Sequence, residues 1–303
     1  MTATGAAGTA GAGAVYDRGY HPYDGPRGGR RAAALALYRA SIRRALGIRR
    51  SWRQKVAPFV LLGIVTLPAA INVGIAYVTR NVADNIELFT YREYVGVSSA
   101  LLVFVAVTAP DIMCPDRRQG VLPLIFARPL TGRDYVLAKI GAMFSILFLF
   151  SFLPQVLLFV GQTLVSDGAL DYVGDHLDIL WKVPVAVSIL ALFHAVIGIA
   201  VASLTSRRIV AGASFIGLFL VSSVTAGILT GPFQPGDEGS PAALLNVIAL
   251  PLHLRDLVFL GHVHPQVSLS GVDGGGAYAV GIYTVIVAAG VAVTLARYRW
   301  TER

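Results

Sequence analysis

The chain has 303 residues, 55% of them apolar and only 14% charged, with a formal net charge of +8. That much apolar surface exceeds what a water-soluble core of this length hides, so the chain needs a bilayer as solvent. Nucleic acid is set aside as a partner, because 22 of the 25 basic residues are Arg standing between long apolar runs and not on one compact domain.

The N-terminal stretch, Met1 to Gly29, is rich in Gly, Ala and Arg and holds no apolar core of signal-peptide length. Residues 1–31 therefore read as a disordered cytoplasmic tail. Ala32 to Leu46 follows as an amphipathic helix. Its Leu35, Tyr38, Ile42 and Leu46 share one stripe while Arg43 and Arg44 point away, the pattern of a helix lying on the inner leaflet. With its linker this helix occupies 32–56, ahead of a transmembrane domain at 57–303.

Crossing a hydrocarbon core of about 30 Å takes about 20 apolar residues in a helix, since lipid offers no partner to an unpaired amide. Six segments meet this length: Ala57 to Val78, Tyr94 to Cys114, Ile140 to Val165, Val183 to Leu204, Ile209 to Thr230 and Ala277 to Ala296. The expected fold class is all-α, a six-helix polytopic membrane protein. Between the fifth and sixth spans, Pro241 to Leu260 is apolar but broken by Asn246, Pro251, His253, Arg255 and Asp256, which predicts a re-entrant or outer interfacial segment.

Basic residues near membrane ends are retained on the cytoplasmic side. With the N-terminus inside, cytoplasmic segments carry 21 of the 25 basic residues, and the outer ones keep Arg80, Arg92, Lys182 and Arg255. Both termini are then cytoplasmic. Trp52, Trp181 and Trp300 fall at span ends, where amphipathic rings prefer to lie.

Catalytic signatures are absent from the sequence. The only lysines, Lys55, Lys139 and Lys182, follow Gln, Ala and Trp, so no phosphate-cradling Gly-Lys pair exists. The single cysteine, Cys114, excludes an internal disulfide framework and a cysteine zinc site. His262 and His264 form a His-x-His, which without further ligands reads as polar loop more readily than metal site. Within the spans, Asn72, Asp111, Gln155, Gln162 and His194 are candidates either for a pathway or for polar helix packing. For Asp111 the plainer expectation is an interfacial pair with Arg117 or Arg118.

The most informative connector is Pro115 to Lys139, reading PDRRQGVLPLIFARPLTGRDYVLAK. An acidic/basic pair, a Gly, an apolar cluster, Arg-Pro, Arg-Asp and a Lys at the next span resemble ABC transporter permeases of the type-2 exporter class, and the runs GYHPYDGPRGGRR and GIRRSWRQKVAPF look like a bacterial subgroup of them. The matching positions are Asp116, Arg117, Arg118, Gly120, Leu122, Pro129, Arg133 and Lys139. Where that family often has Glu-x-Gly-Thr-Leu this chain has Arg118, Gln119, Gly120, Val121 and Leu122, and Pro123 is expected to keep the element short or kinked.

The resemblance implies a permease subunit of the bacterial cell membrane, paired with a second permease copy or a similar chain, in contact with membrane lipid. ATP and Mg would sit on a separate ATP-binding subunit, with no cofactor on this chain. The implied contact with that subunit is Asp116, Arg117, Arg118, Gly120, Leu122, Leu124, Ile125 and Phe126, with Cys114 beside it as a natural label. A membrane scaffold is the competing expectation; an intramembrane enzyme would need convergent reactive groups that the sequence does not offer.

Overall fold

The computed structural model describes residues 28–48, 52–79, 90–95, 98–166, 168–232, 234 and 237–299. Among the described residues every regular element is helical and no strand occurs. In chain order they are α1 (Arg30–Ala45), α2 (Trp52–Thr79), α3 (Tyr91–Val95), α4 (Ser98–Arg118), α5 (Leu122–Phe126), α6 (Gly132–Val165), α7 (Ala169–Asp175), α8 (Ile179–Leu204), α9 (Arg208–Thr230), α10 (Leu250–Leu260) and α11 (Gly275–Arg299). Short 3-10 turns at Pro241–Leu245 and Ser268–Gly271 flank α10.

Among the described residues five helices are long and apolar enough to cross a membrane: α2 (through Leu62–Thr79), α6, α8, α9 and α11. They coincide with five of the six expected spans, so the chain has the character of a multi-pass membrane protein. The remaining segment, expected as Tyr94 to Cys114, is divided differently. It contributes to α3 and then to α4, whose last turns carry Asp111, Asp116, Arg117 and Arg118. Among the described residues α4 is not one of the five, although its 21 residues would cover about 30 Å.

The bundle is organised around α8, which packs against α6, α4, α11, α10 and α9. Burial covers 72% of the most apolar stretch of α8, against 17–39% in the other four. Close approach between helices depends on small residues. Pro110 leaves the Ala106 carbonyl of α4 without its helical donor, and Gly212 of α9 sits against that oxygen, where a Cβ would stand only 2.6 Å away. Aromatic rings fill the space between α8, α9 and α11: Phe193 stacks on Tyr283 with centroids 5.3 Å apart, and Phe215 lies 4.7 Å from Phe219.

The two ends of the bundle differ in kind. At one end α3, α7 and α10 form a cap, tied by a hydrogen bond of 2.8 Å between the hydroxyls of Tyr91 and Tyr172. Asp256 of α10 pairs there with Arg255 at 2.6 Å and with Arg92 of α3 at 3.4 Å. The segment expected to be re-entrant or interfacial becomes a 3-10 turn and the eleven-residue α10, too short to span, packed on α8 and α11. Lys182 at the head of α8 reaches Asp178 at 2.7 Å. That hydrogen bond holds the exposed Asp178 carboxyl below its usual range.

The opposite end gathers α1, α5, the start of α6 and the basic ends of α4, α9 and α11. Here α1 departs from expectation. Its stripe does not simply rest on a leaflet but packs on α6, with the Tyr38 hydroxyl donating to Ser145 Oγ at 2.8 Å. The helix α6 begins with a capping box, in which Thr131 and Asp134 exchange backbone hydrogen bonds. Arg30 of α1 clamps that same Asp134 at 2.7 and 3.0 Å. With 34 residues α6 is about 50 Å long, more than a hydrocarbon core requires. Residues 1–27 of the expected tail lie outside the described residues, as do 49–51 of the linker and Trp300.

Candidate functional site

The connector from α4 to α6 makes a tight sequence of turns. Gly120 ends α4 with a φ of +64°, in the left-handed region that a side chain disfavours. Its amide and that of Val121 return to the carbonyls of Arg117 and Asp116, closing the helix end. Then α5 runs for five residues. Pro123, expected as an interruption, occupies its first turn, where a missing amide hydrogen costs nothing. The element is short, as the proline and glycine spacing suggests.

Apolar side chains of α5 divide between two surroundings. Leu122, Ile125 and Phe126 pack against the core, and Phe126 meets the ring of Tyr135 at 5.8 Å. Leu124 projects outward with 72% of its surface exposed, beside the exposed Pro123, Ala127 and Arg128. A five-residue helix with one face inserted and one leucine outward is a shaped knob on the basic end of the bundle.

Behind the knob lies a buried ionic cluster. Asp116, only 1% exposed, accepts from the Lys139 ammonium at 2.6 Å, the Tyr135 hydroxyl at 2.9 Å and the Arg44 guanidinium. Lys139 also donates to the Ile112 carbonyl at 3.0 Å and lies 5.2 Å from the Tyr135 ring centre. Tyr298 of α11 completes the group, its ring 4.8 Å from that of Tyr135. One carboxylate thus joins α1, α4 and α6, while the tyrosine pair brings in α11. A buried ion pair is held together only if nearly every donor is satisfied, and removing one partner typically costs about 3–5 kcal/mol.

The sequence-derived contact residues therefore separate. Asp116 faces inward and belongs to the anchor. Arg117 donates to the Ser203 carbonyl of α8 at 2.6 Å. Arg118, Gly120 and Leu124 are exposed, while Leu122, Ile125 and Phe126 are half-buried. Arg44, expected to point away from the helix stripe, turns inward to Asp116. Cys114 is 1% exposed with its thiol toward the Ala202 and Thr205 carbonyls, so it is no label for the surface beside it.

The intramembrane polar candidates are spread over several helices. Asp111 pairs with Arg208 of α9 at 2.7 Å, a partner from a different helix than the expected Arg117 or Arg118. His194, fully buried on α8, hydrogen-bonds through Nδ1 to the Leu190 carbonyl of its own helix and stacks on Phe219 at 5.6 Å. Gln155 donates to the Tyr91 carbonyl at 3.2 Å, tying α6 to α3. Asn72 of α2 and Gln162 of α6 are also buried. His262 and His264 each bond to nearby backbone, and among the described residues no group of three metal-ligating side chains comes together.

Tyr135, Arg44 and Tyr298 are not separable from ordinary helix residues by spacing, whereas Lys139 is one of the positions that carry the resemblance. The one available signal was Lys139 itself, a lysine in an Arg-dominated chain at the start of a long apolar run. No known family model matches the chain, and a comparison with curated proteins finds no match.

Proposed function

We propose that this chain is the membrane-spanning permease subunit of an ATP-driven ABC exporter of the bacterial cell membrane. In this reading α4 is the second of six spans, both termini are cytoplasmic, and two such subunits enclose the pathway. The basic end of the bundle faces the cytoplasm, in keeping with the retention of Arg near inner membrane ends. ATP and Mg are held by a separate subunit that docks on α5.

The observation that carries this reading is α5 with its exposed Leu124, seated on the Asp116 cluster. Force applied to an exposed knob reaches a membrane helix only if the knob is held rigidly, and the cluster ties its base to α1, α4 and α6. A scaffold would have no need of a stiff linkage between an exposed apolar tip and several spans. The family resemblance of residues 115–139 supplies the rest, as an analogy.

Two experiments test the reading. An alkaline phosphatase fused after Gly236 should be active and one fused at the C-terminus inactive; the reverse result removes the six-span topology. Leu124→Asp changes an exposed side chain, so expression and insertion should persist while co-purification of an ATP-hydrolysing subunit from native membranes is lost. Retained co-purification in that variant would contradict docking at α5.

A further inference from the structure

Where α4 ends beside the α8–α9 connector, an open recess of about 730 Å³ is lined by Arg118, Ser206, Arg207, Arg208, Ile209 and Val210. Its charge is unbalanced. Arg208 is neutralised by Asp111 at 2.7 Å, but among the described residues neither Arg118 nor Arg207 has a carboxylate partner. The start of α9 adds to this: Arg207 at its N-cap makes no side-chain bond to the first turn, so the partial positive charge of a 23-residue helix is left uncapped. Beside the guanidinium groups the lining is apolar, with Ile209 88% and Val210 45% exposed, and Leu204, at the end of α8 just before the connector, is 60% exposed.

We propose that this recess binds one anionic phospholipid of the adjoining leaflet, its phosphate held by Arg118 and Arg207 and an acyl chain lying along Leu204, Ile209 and Val210. Two unpaired guanidinium groups, a serine hydroxyl and helix-terminal amides are the donors that a phosphodiester monoanion accepts. A free phosphate would use those donors but leave the apolar wall unexplained. An acidic protein segment would meet the charge but not a strip of branched aliphatic side chains at membrane level. The lipid satisfies both halves of the recess at once. The inference rests on α8 and α9 being membrane spans and is independent of any ATP-binding partner.

The bound lipid would also brace the α4–α9 contact, since Arg118 and Arg207 come from different sides of the Asp111–Arg208 pair. Lipid occupancy would then stiffen the end of α4 from which α5 projects.

The test uses the full-length protein in detergent, with native mass spectrometry of lipid adducts formed from phosphatidylglycerol or phosphatidylcholine. The wild type should retain one phosphatidylglycerol in preference to phosphatidylcholine. Arg118→Gln with Arg207→Gln should weaken that retention about thirtyfold, as two cations near a membrane surface imply (roughly 2 kcal/mol). Arg31→Gln with Arg43→Gln on the exposed face of α1 should leave it unchanged. Ile209→Trp, which keeps every charge and fills the apolar wall, should also weaken it and guards against misfolding of the arginine variant. Equal loss in the α1 control or equal retention of both lipids would overturn the proposal. So would displacement by equimolar inorganic phosphate, or by a glutamate-rich peptide, each of which assigns the donors to a different ligand.

Discussion

Lys139 of α6 places its ammonium 2.6 Å from the carboxylate of Asp116 on α4, and both side chains are only 2% exposed. The two residues stand 23 positions apart and on different helices. Their pairing joins the end of α4 to the first turns of α6, across the connector that carries α5.

Breaking that pair from either side should cost far more than removing it whole. Lys139→Met leaves a buried carboxylate with Arg44 as its remaining cation, and Asp116→Asn leaves two cations facing each other. Each should destabilise the bundle by about 3–5 kcal/mol, and the double variant should cost clearly less than their sum. Denaturant unfolding in detergent measures the cycle. Additive losses would mean that the two groups do not interact energetically.

The turn at Gly120 has a narrower requirement. At φ +64° an added Cβ meets no neighbour, so space is not the issue. The cost of Gly120→Ala is the left-handed backbone itself, about 1–2 kcal/mol. Gly120→Asn should cost less, because Asn tolerates that region. Equal stability of the Ala variant and the wild type in thermal unfolding would show that the turn relaxes.

His253 gives the capped end a pH dependence. It lies on α10 outside the spans, 3% exposed, with Asp256 and Arg255 on its own helix and Arg92 facing from α3. Burial pushes the imidazole pKa down from 6.5 to about 4. The neutral ring is the folded form, so the unfolded segment takes up the proton first as pH falls. Stability is thus complete above about pH 6.5 and declines toward pH 4, with a loss of about 2 kcal/mol near pH 5. Hydrogen exchange across Leu250–Leu260 should be faster at pH 5 than at pH 7 after correction for intrinsic rates. His253→Leu should abolish the difference, and an undiminished pH effect in that variant would assign it to another group.

Much of the architecture was legible in the sequence because lipid imposes a simple rule on length and polarity. The runs that became α6, α8, α9 and α11 met that rule without reference to any other helix. Where a second partner decided the outcome, the sequence was silent. The stripe of α1 fits a leaflet and the flank of α6 equally well, and periodicity does not say which apolar surface covers it. Arg44 reads as a solvated charge until Asp116 is placed beside it. Pro123 signals a break, but whether it ends one helix or begins another depends on the turn at Gly120. Asp111 had two arginines nearby in sequence, and the fold supplied Arg208 from the neighbouring helix α9.

The proposed hold of an ATP-binding subunit on α5 is open to site-directed cross-linking. Since Cys114 is buried and is the chain's sole cysteine, Leu124→Cys introduces a single reactive thiol at the exposed tip of the knob. A photoreactive label at that thiol in native membranes should capture a protein that itself labels with azido-ATP, and the yield should change when nucleotide is added. Capture of lipid alone, or of proteins that do not bind ATP, would contradict the account.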